Sequence, residues 1–320
     1  MGVTDLKELF AFQDLERFRT ASLKDRRHPL KRLFFPLDHD EAMVSNTNLA
    51  LDWIFKLDPK WIKTKVRDLV ALDNFEAVSS FLGEVSAYGL LLSTGLRIKP
   101  HRGKESGPDF LIDDCVCVEV HAKQSEPAER LALQRHYESP KAFHPNSPFG
   151  APSAGDSVTT VAIQKVAQIK QKEEQKKNQF SPTSPSILWI DFQDETWQLI
   201  LGPESALPVN LWNDEYYSGV LWYGFYGWKG APIFEGETKL QRPRRAVARM
   251  QHNGRFRNNT NIDAVIVLLM QYTFLFENPL SSKPVSPTIM EKLLRLPNVD
   301  ATWTLLNESV GDLSQRIEKE

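Results

Sequence analysis

Apolar residues recur at helical spacing through the first quarter of the chain. Leu6, Leu9, Phe10 and Phe12, then the stretches 49–57 and 61–72, alternate with mixed charge and predict a helical region over residues 1–75. Asp58-Pro59 predicts a helix start, because proline suits the first helical position. Val78, Phe81, Leu82, Val85 and Leu92 then line one stripe of a longer helix. At ~100° per residue, Glu84 falls on the flank of that stripe, roughly 90° from its centre. A Gly-containing turn and two strands follow, up to residue 123. A second stripe, Val158, Val161, Ala162, Val166 and Ile169, predicts a helix running to Lys176-Lys177, with Lys165 on its flank and Gln164 further round the same side. The stretches 187–192 and 264–270 are nearly continuously apolar, which predicts strands covered on both faces.

Between these elements, residues 124–157 hold five of the 20 prolines and show no period, so they read as an insertion. The pattern predicts an α/β protein. A helical region, 1–75, precedes a domain over 76–320 that carries the insertion and ends in a helical tail.

Composition narrows the class further. With 320 residues, 41% apolar and 25% charged, the chain matches the globular average, which excludes disordered, collagenous and coiled-coil classes. The longest apolar run, 264–270, is far short of the ~20 residues that cross a bilayer, so no membrane partner is expected. No secretory signal opens the chain, and Cys115 and Cys117 are too close to frame a disulfide fold, which points to a reducing cytoplasm. The 39 basic and 41 acidic residues leave a net charge of −2, so any nucleic-acid site is a local patch.

The candidate chemistry lies in residues 107–123, GPDFLIDDCVCVEVHAK, which read as strand, Asp-Asp turn, strand. Asp109 opens the first strand and Glu119 sits inside the second. A carboxylate in an apolar strand is expensive to bury without a cation or hydrogen bonds. Two of them on neighbouring strands can hold one hard divalent cation. Alternation places Glu119, His121 and Lys123 on one face, where a basic group beside the carboxylates can polarise water or offset charge on a phosphate. The arrangement makes a demand on the turn. If Asp113-Asp114 were a two-residue hairpin, Asp109 would face Val118 and Glu119 would point to the other side of the sheet. A joint site needs a three-residue connection or a bulge.

This stretch resembles the PD-(D/E)XK nuclease superfamily, the restriction-endonuclease-like fold. Pro108-Asp109 and Glu119-Val120 correspond to its two strand motifs, the preceding helix carries Glu84, and the helix from 158 stands where the family has its next helix. The resemblance covers roughly residues 76–192. It implies a three-layer α/β/α core with a mixed central sheet and the N-terminal helical extension. It also implies Mg²⁺, with Mn²⁺ as substitute, held by Asp109, Glu119 and the Val120 carbonyl, with Glu84 orienting water. The activity implied is metal-dependent phosphodiester hydrolysis, DNA ahead of RNA, by an endonuclease that can act as a homodimer. Where the family has its lysine this chain has His121, with Lys123 two residues on. His121 takes the basic role, Lys123 reaches the site, or the module is inactive and only binds nucleic acid or protein. On the following helix, Lys165 and Gln164 are the phosphate-contact candidates.

Two further stretches bear on partners. Residues 239–257 carry Lys239, Arg242, Arg244, Arg245, Arg249, Arg255 and Arg257 with no acidic residue, a candidate phosphate-binding segment whose competing reading is a solvated face. Residues 212–228 hold eight aromatics, read first as the packed side of a strand pair and second as a base-stacking or partner surface. Cys115, Cys117, His101 and His121 lack the second ligand pair of a zinc site, and no Gly-rich phosphate loop occurs.

Overall fold

This computed structural model describes residues 6–10, 13, 15–16, 28–34, 41–69, 74–101, 107–123, 158–170, 180, 183–192, 203–212, 215–238, 248–269 and 272–299. The insertion 124–157, Lys239, Arg242, Arg244, Arg245 and residues 300–320 lie outside the described residues.

Four helices come first: α1 (Pro29–Phe34), α2 (Glu41–Leu57), α3 (Pro59–Asp68) and α4 (Phe75–Ser93). The Asp58 side chain accepts from the Trp61 N–H and caps α3, with Pro59 at its first position. Asn74 caps α4 in the same way, through the Ala77 N–H. Strands β1 (Ile98–Pro100), β2 (Phe110–Ile112) and β3 (Val116–Lys123) follow, then α5 (Val158–Gln168) and β4 (Ser186–Phe192). Further along lie β5 (Val209–Trp212), β6 (Glu215–Ser218), α6 (Val220–Tyr226), β7 (Pro232–Ile233), β8 (Glu235–Thr238), β9 (Ala248–Arg249) and α7 (Arg255–Asn258). The chain continues through β10 (Ala264–Leu268), β11 (Thr273–Glu277) and α8 (Pro287–Leu293).

The protein is mixed α/β, built on a six-stranded sheet of order β1-β2-β3-β4-β10-β11. Strands β3, β4 and β10 run parallel; β1, β2 and β11 pair antiparallel at the two sides. Strand alternation divides the core. Val118, Ile187, Trp189 and Ile266 face helices α1–α4 and α8, whereas Leu188, Ile190, Val265 and Val267 face α5, α6 and α7. Both faces of β4 and β10 are therefore buried, as their unbroken apolar runs require. Leu30, Ala50, Ile54 and Ile62 belong to the same buried cluster as Val85 and Val118, so the N-terminal helices share the sheet's core. Among the described residues no helix is long and apolar enough to cross a membrane.

Three local expectations need correction. The helix from 158 breaks after Gln168, where Lys170 adopts φ 52°, the left-handed conformation that terminates a helix; Lys176-Lys177 lies outside the described residues. Val161, placed on the buried stripe, is 39% exposed; Ile163 is buried instead. The second half of the aromatic stretch is a helix rather than a strand. Trp222, Tyr223 and Phe225 are buried in α6, and Gly224 lets α6 approach α5 so closely that a Cβ there would lie 2.3 Å from Val166 Cγ1. A helix buried all round shows no polar face for periodicity to detect.

Candidate active site

The hairpin between β2 and β3 decides whether the acidic residues meet. Ile112 pairs with Val116, so the connection is the three-residue loop Asp113, Asp114, Cys115. Asp113 and Asp114 both take positive φ, 48° and 60°, which short polar residues tolerate better than bulky ones. Arg97 and Lys99 hold Asp114 at 2.9 and 2.6 Å, and that pairing, Lys99 first, pulls the Asp114 carboxyl below its ordinary range. Phe110 pairs with Val118, and Asp109, just before β2, meets β3 through its side chain, at the Val120 N–H next to Glu119. Glu119, paired with Leu188, lies on the face covered by α5, and the Lys170 ammonium acts on both carboxylates.

Asp109 reaches over the neighbouring strand and accepts the Val120 N–H at 2.7 Å. Burial pushes its carboxyl up; the Val120 N–H, Lys170, Lys65 and His101 act in the opposite direction. Its placement follows from aromatic packing behind it. Phe110 stacks on Tyr88 at 5.2 Å, Tyr88 packs on Trp61 at 4.6 Å, and the Tyr88 hydroxyl donates to Asp58 Oδ2 at 3.1 Å. These contacts lock β2, α4 and α3 together and bring Glu84 and Lys65 to the same corner. Glu84 accepts from Lys65 Nζ. Burial raises the Glu84 carboxyl, Lys65 opposes that shift, and Asp109 adds to it, so the two carboxylates feel one another.

Glu119 is buried, and the cation on it is neither of the two expected from the strand. Lys170 Nζ donates to Glu119 Oε1 at 2.5 Å and to the Val120 carbonyl oxygen at 3.2 Å, with side chains 7% and 4% exposed for the lysine and the glutamate. His121 shares the strand face and is half-buried. Burial above all, then Lys170, Lys123 and Arg255, hold its imidazole down to about 3, so it is neutral at pH 7 and supplies no positive charge. Lys123 lies one further step along, at the end of β3. Strand spacing could not reveal Lys170, which arrives from the end of α5. The one local signal for it is its position just past the last turn of the apolar stripe.

The remaining candidates are scattered. Gln164 keeps both side-chain amide atoms buried without a hydrogen-bond partner among the described residues, while Lys165 is half-buried. Arg249 is exposed and donates to the Gly230 carbonyl. Arg257 is exposed, donates to the Tyr226 carbonyl at 3.0 Å and lies 5.6 Å from the Trp228 ring. Arg255 is 1% exposed, and burial lowers its guanidinium to about 9. In this arrangement it is an interior cation behind His121, not the surface contact the basic stretch suggested.

Among the described residues no three of His, Cys, Asp and Glu converge closely enough to hold a metal ion together. What does converge is a pair of oxygens, Glu119 Oε1 and the Val120 carbonyl, both on the Lys170 ammonium, while the Asp109 carboxylate takes the Val120 N–H. Carboxylate and carbonyl oxygens are the donor types that a hard cation such as Mg²⁺ takes, and here two of them embrace the charge of a lysine. Comparison of the chain with protein-family models, with curated proteins and with solved structures finds no match.

Proposed function

We propose that the protein is a metal-dependent phosphodiesterase with a restriction-endonuclease-like core, acting on nucleic acid, DNA ahead of RNA. The observation that carries this reading is the Asp109 carboxylate on the Val120 N–H, one residue along β3 from the buried Glu119 carboxylate. Asp109, Glu119 and the Val120 carbonyl would hold the ion. When bound, Mg²⁺ or Mn²⁺ supplies a polarised water and a positive charge beside the scissile phosphate. Glu84 would orient that water from the α4 side, held in place by the Lys65 ammonium. Lys170 offsets the negative charge that grows on the phosphate oxygens, the role first sought in His121 or Lys123. His121 stays neutral and lines the site.

The test is cleavage of plasmid, linear and single-stranded DNA with Mg²⁺ or Mn²⁺, comparing wild type with Asp109→Asn and Glu119→Gln. Both variants are expected to lose cleavage while remaining folded. Full cleavage by both ends the assignment.

A second reading is favoured by the lysines themselves. Lys65 and Lys170 neutralise Glu84 and Glu119 within the chain, as a nuclease-fold module that only binds nucleic acid or a protein would have them. It requires the absence of cleavage under any divalent ion, with retention on DNA at low salt if nucleic acid is the partner.

A further inference from the structure

Lys170 engages the two oxygens that, on the metal-dependent reading, would face the ion together with Asp109. Its pair with Glu119 is shielded from water, so neither charge can be abandoned there without a replacement. An ammonium and a dication cannot occupy the same oxygens either, since their repulsion grows steeply in a water-poor site. The backbone supports a dedicated placement. Lys170 sits at φ 52°, a conformation that disfavours residues bearing a Cβ, and that turn directs a lysine from the end of α5 back onto β3.

Resting on the reading above, we infer that Lys170 is the resident counter-cation of the site, exchanged when a divalent ion binds. Uptake of the ion and release of the Lys170 ammonium toward the substrate phosphate are then a single event. Without an ion, Lys170 keeps Glu119 neutralised and the core folded. With one, the displaced ammonium stays within a side chain's length of the carboxylates, where the phosphate must lie. The site thus arms its own lysine only when it is loaded.

The test measures Mn²⁺ binding to the full chain by calorimetry, with no nucleic acid present, for wild type, Lys170→Met and Lys170→Gly. Glycine suits the left-handed backbone and guards against a variant that fails for conformational reasons. Both variants are expected to bind Mn²⁺ at least tenfold tighter than wild type, with a larger Mn²⁺-induced rise in melting temperature. Adding Asp109→Asn should erase the gain. A variant unfolded without metal should regain its circular dichroism spectrum on adding Mn²⁺; failure to do so counts against the exchange. Equal or weaker binding by both variants overturns the inference and leaves the metal reading standing. If neither wild type nor variants bind Mn²⁺, both fall.

Discussion

Lys170 meets Glu119 across 51 residues of sequence, joining the end of α5 to the middle of β3 through a buried ion pair. Breaking such a pair by removing one member strands the other charge. Glu119→Ala or Lys170→Ala should therefore each cost about 3–5 kcal/mol of stability in metal-free solution. The double variant Glu119→Met with Lys170→Met should be more stable than either single alanine variant, since it buries no uncompensated charge. Urea unfolding of the three proteins checks this; a double variant no more stable than the singles refutes it.

Asp109 and Val120 offer a finer contrast. Asp109→Ala leaves the Val120 N–H without its acceptor, a loss of about 1–3 kcal/mol. Asp109→Asn keeps an amide oxygen in place and should cost less than about 1 kcal/mol. Both should abolish divalent-dependent cleavage, so stability and activity separate in the Asn variant.

His121 gives stability a pH dependence. The unfolded imidazole takes its proton near 6.5, whereas the folded one does so only at about 3. Between those values the unfolded chain binds more protons, so stability rises with pH up to about 6.5 and then no longer responds to this group. Lowering the pH from 7 to 5 should cost up to about 2 kcal/mol through His121. Burial raises the Glu84 and Asp109 carboxyls, which act in the opposite sense nearer the carboxylate range. His121→Gln should flatten the profile between pH 5 and 7 in chemical denaturation; an unchanged slope rejects this origin.

Gly89 and Ala50 mark a close approach of α4 to α2. A Cβ on residue 89 would lie 2.2 Å from the Ala50 carbonyl oxygen, a backbone atom that cannot swing away. Gly89→Ala should therefore destabilise by about 1–3 kcal/mol or more, despite alanine's better helix propensity. A higher melting temperature would contradict this.

The local geometry around the candidate residues was legible in the chain. Strand alternation put Glu119 and His121 on one face, helical spacing put Glu84 on the flank of α4, and the Asp-Asp turn defined what the register had to satisfy. The Asp58-Pro59 helix start was equally local. The break after Gln168 is not legible, because a lysine in a left-handed conformation leaves no compositional mark, unlike the glycine that usually stands there. Arg255 was misjudged because charge in a basic run says nothing about which members turn inward.

Side-chain periods of two and 3.6 residues are properties of the local backbone, so the sequence by itself determined which acids could share a face and which strands had to be covered. Which cation would sit on those acids depended on how α3 and α5 pack against the sheet. Lys65 lies 19 residues from Glu84, and Lys170 lies 51 from Glu119. No local pattern encodes separations of that kind. Burial selects the partner, because a carboxylate removed from water accepts whichever ammonium the packed helices deliver.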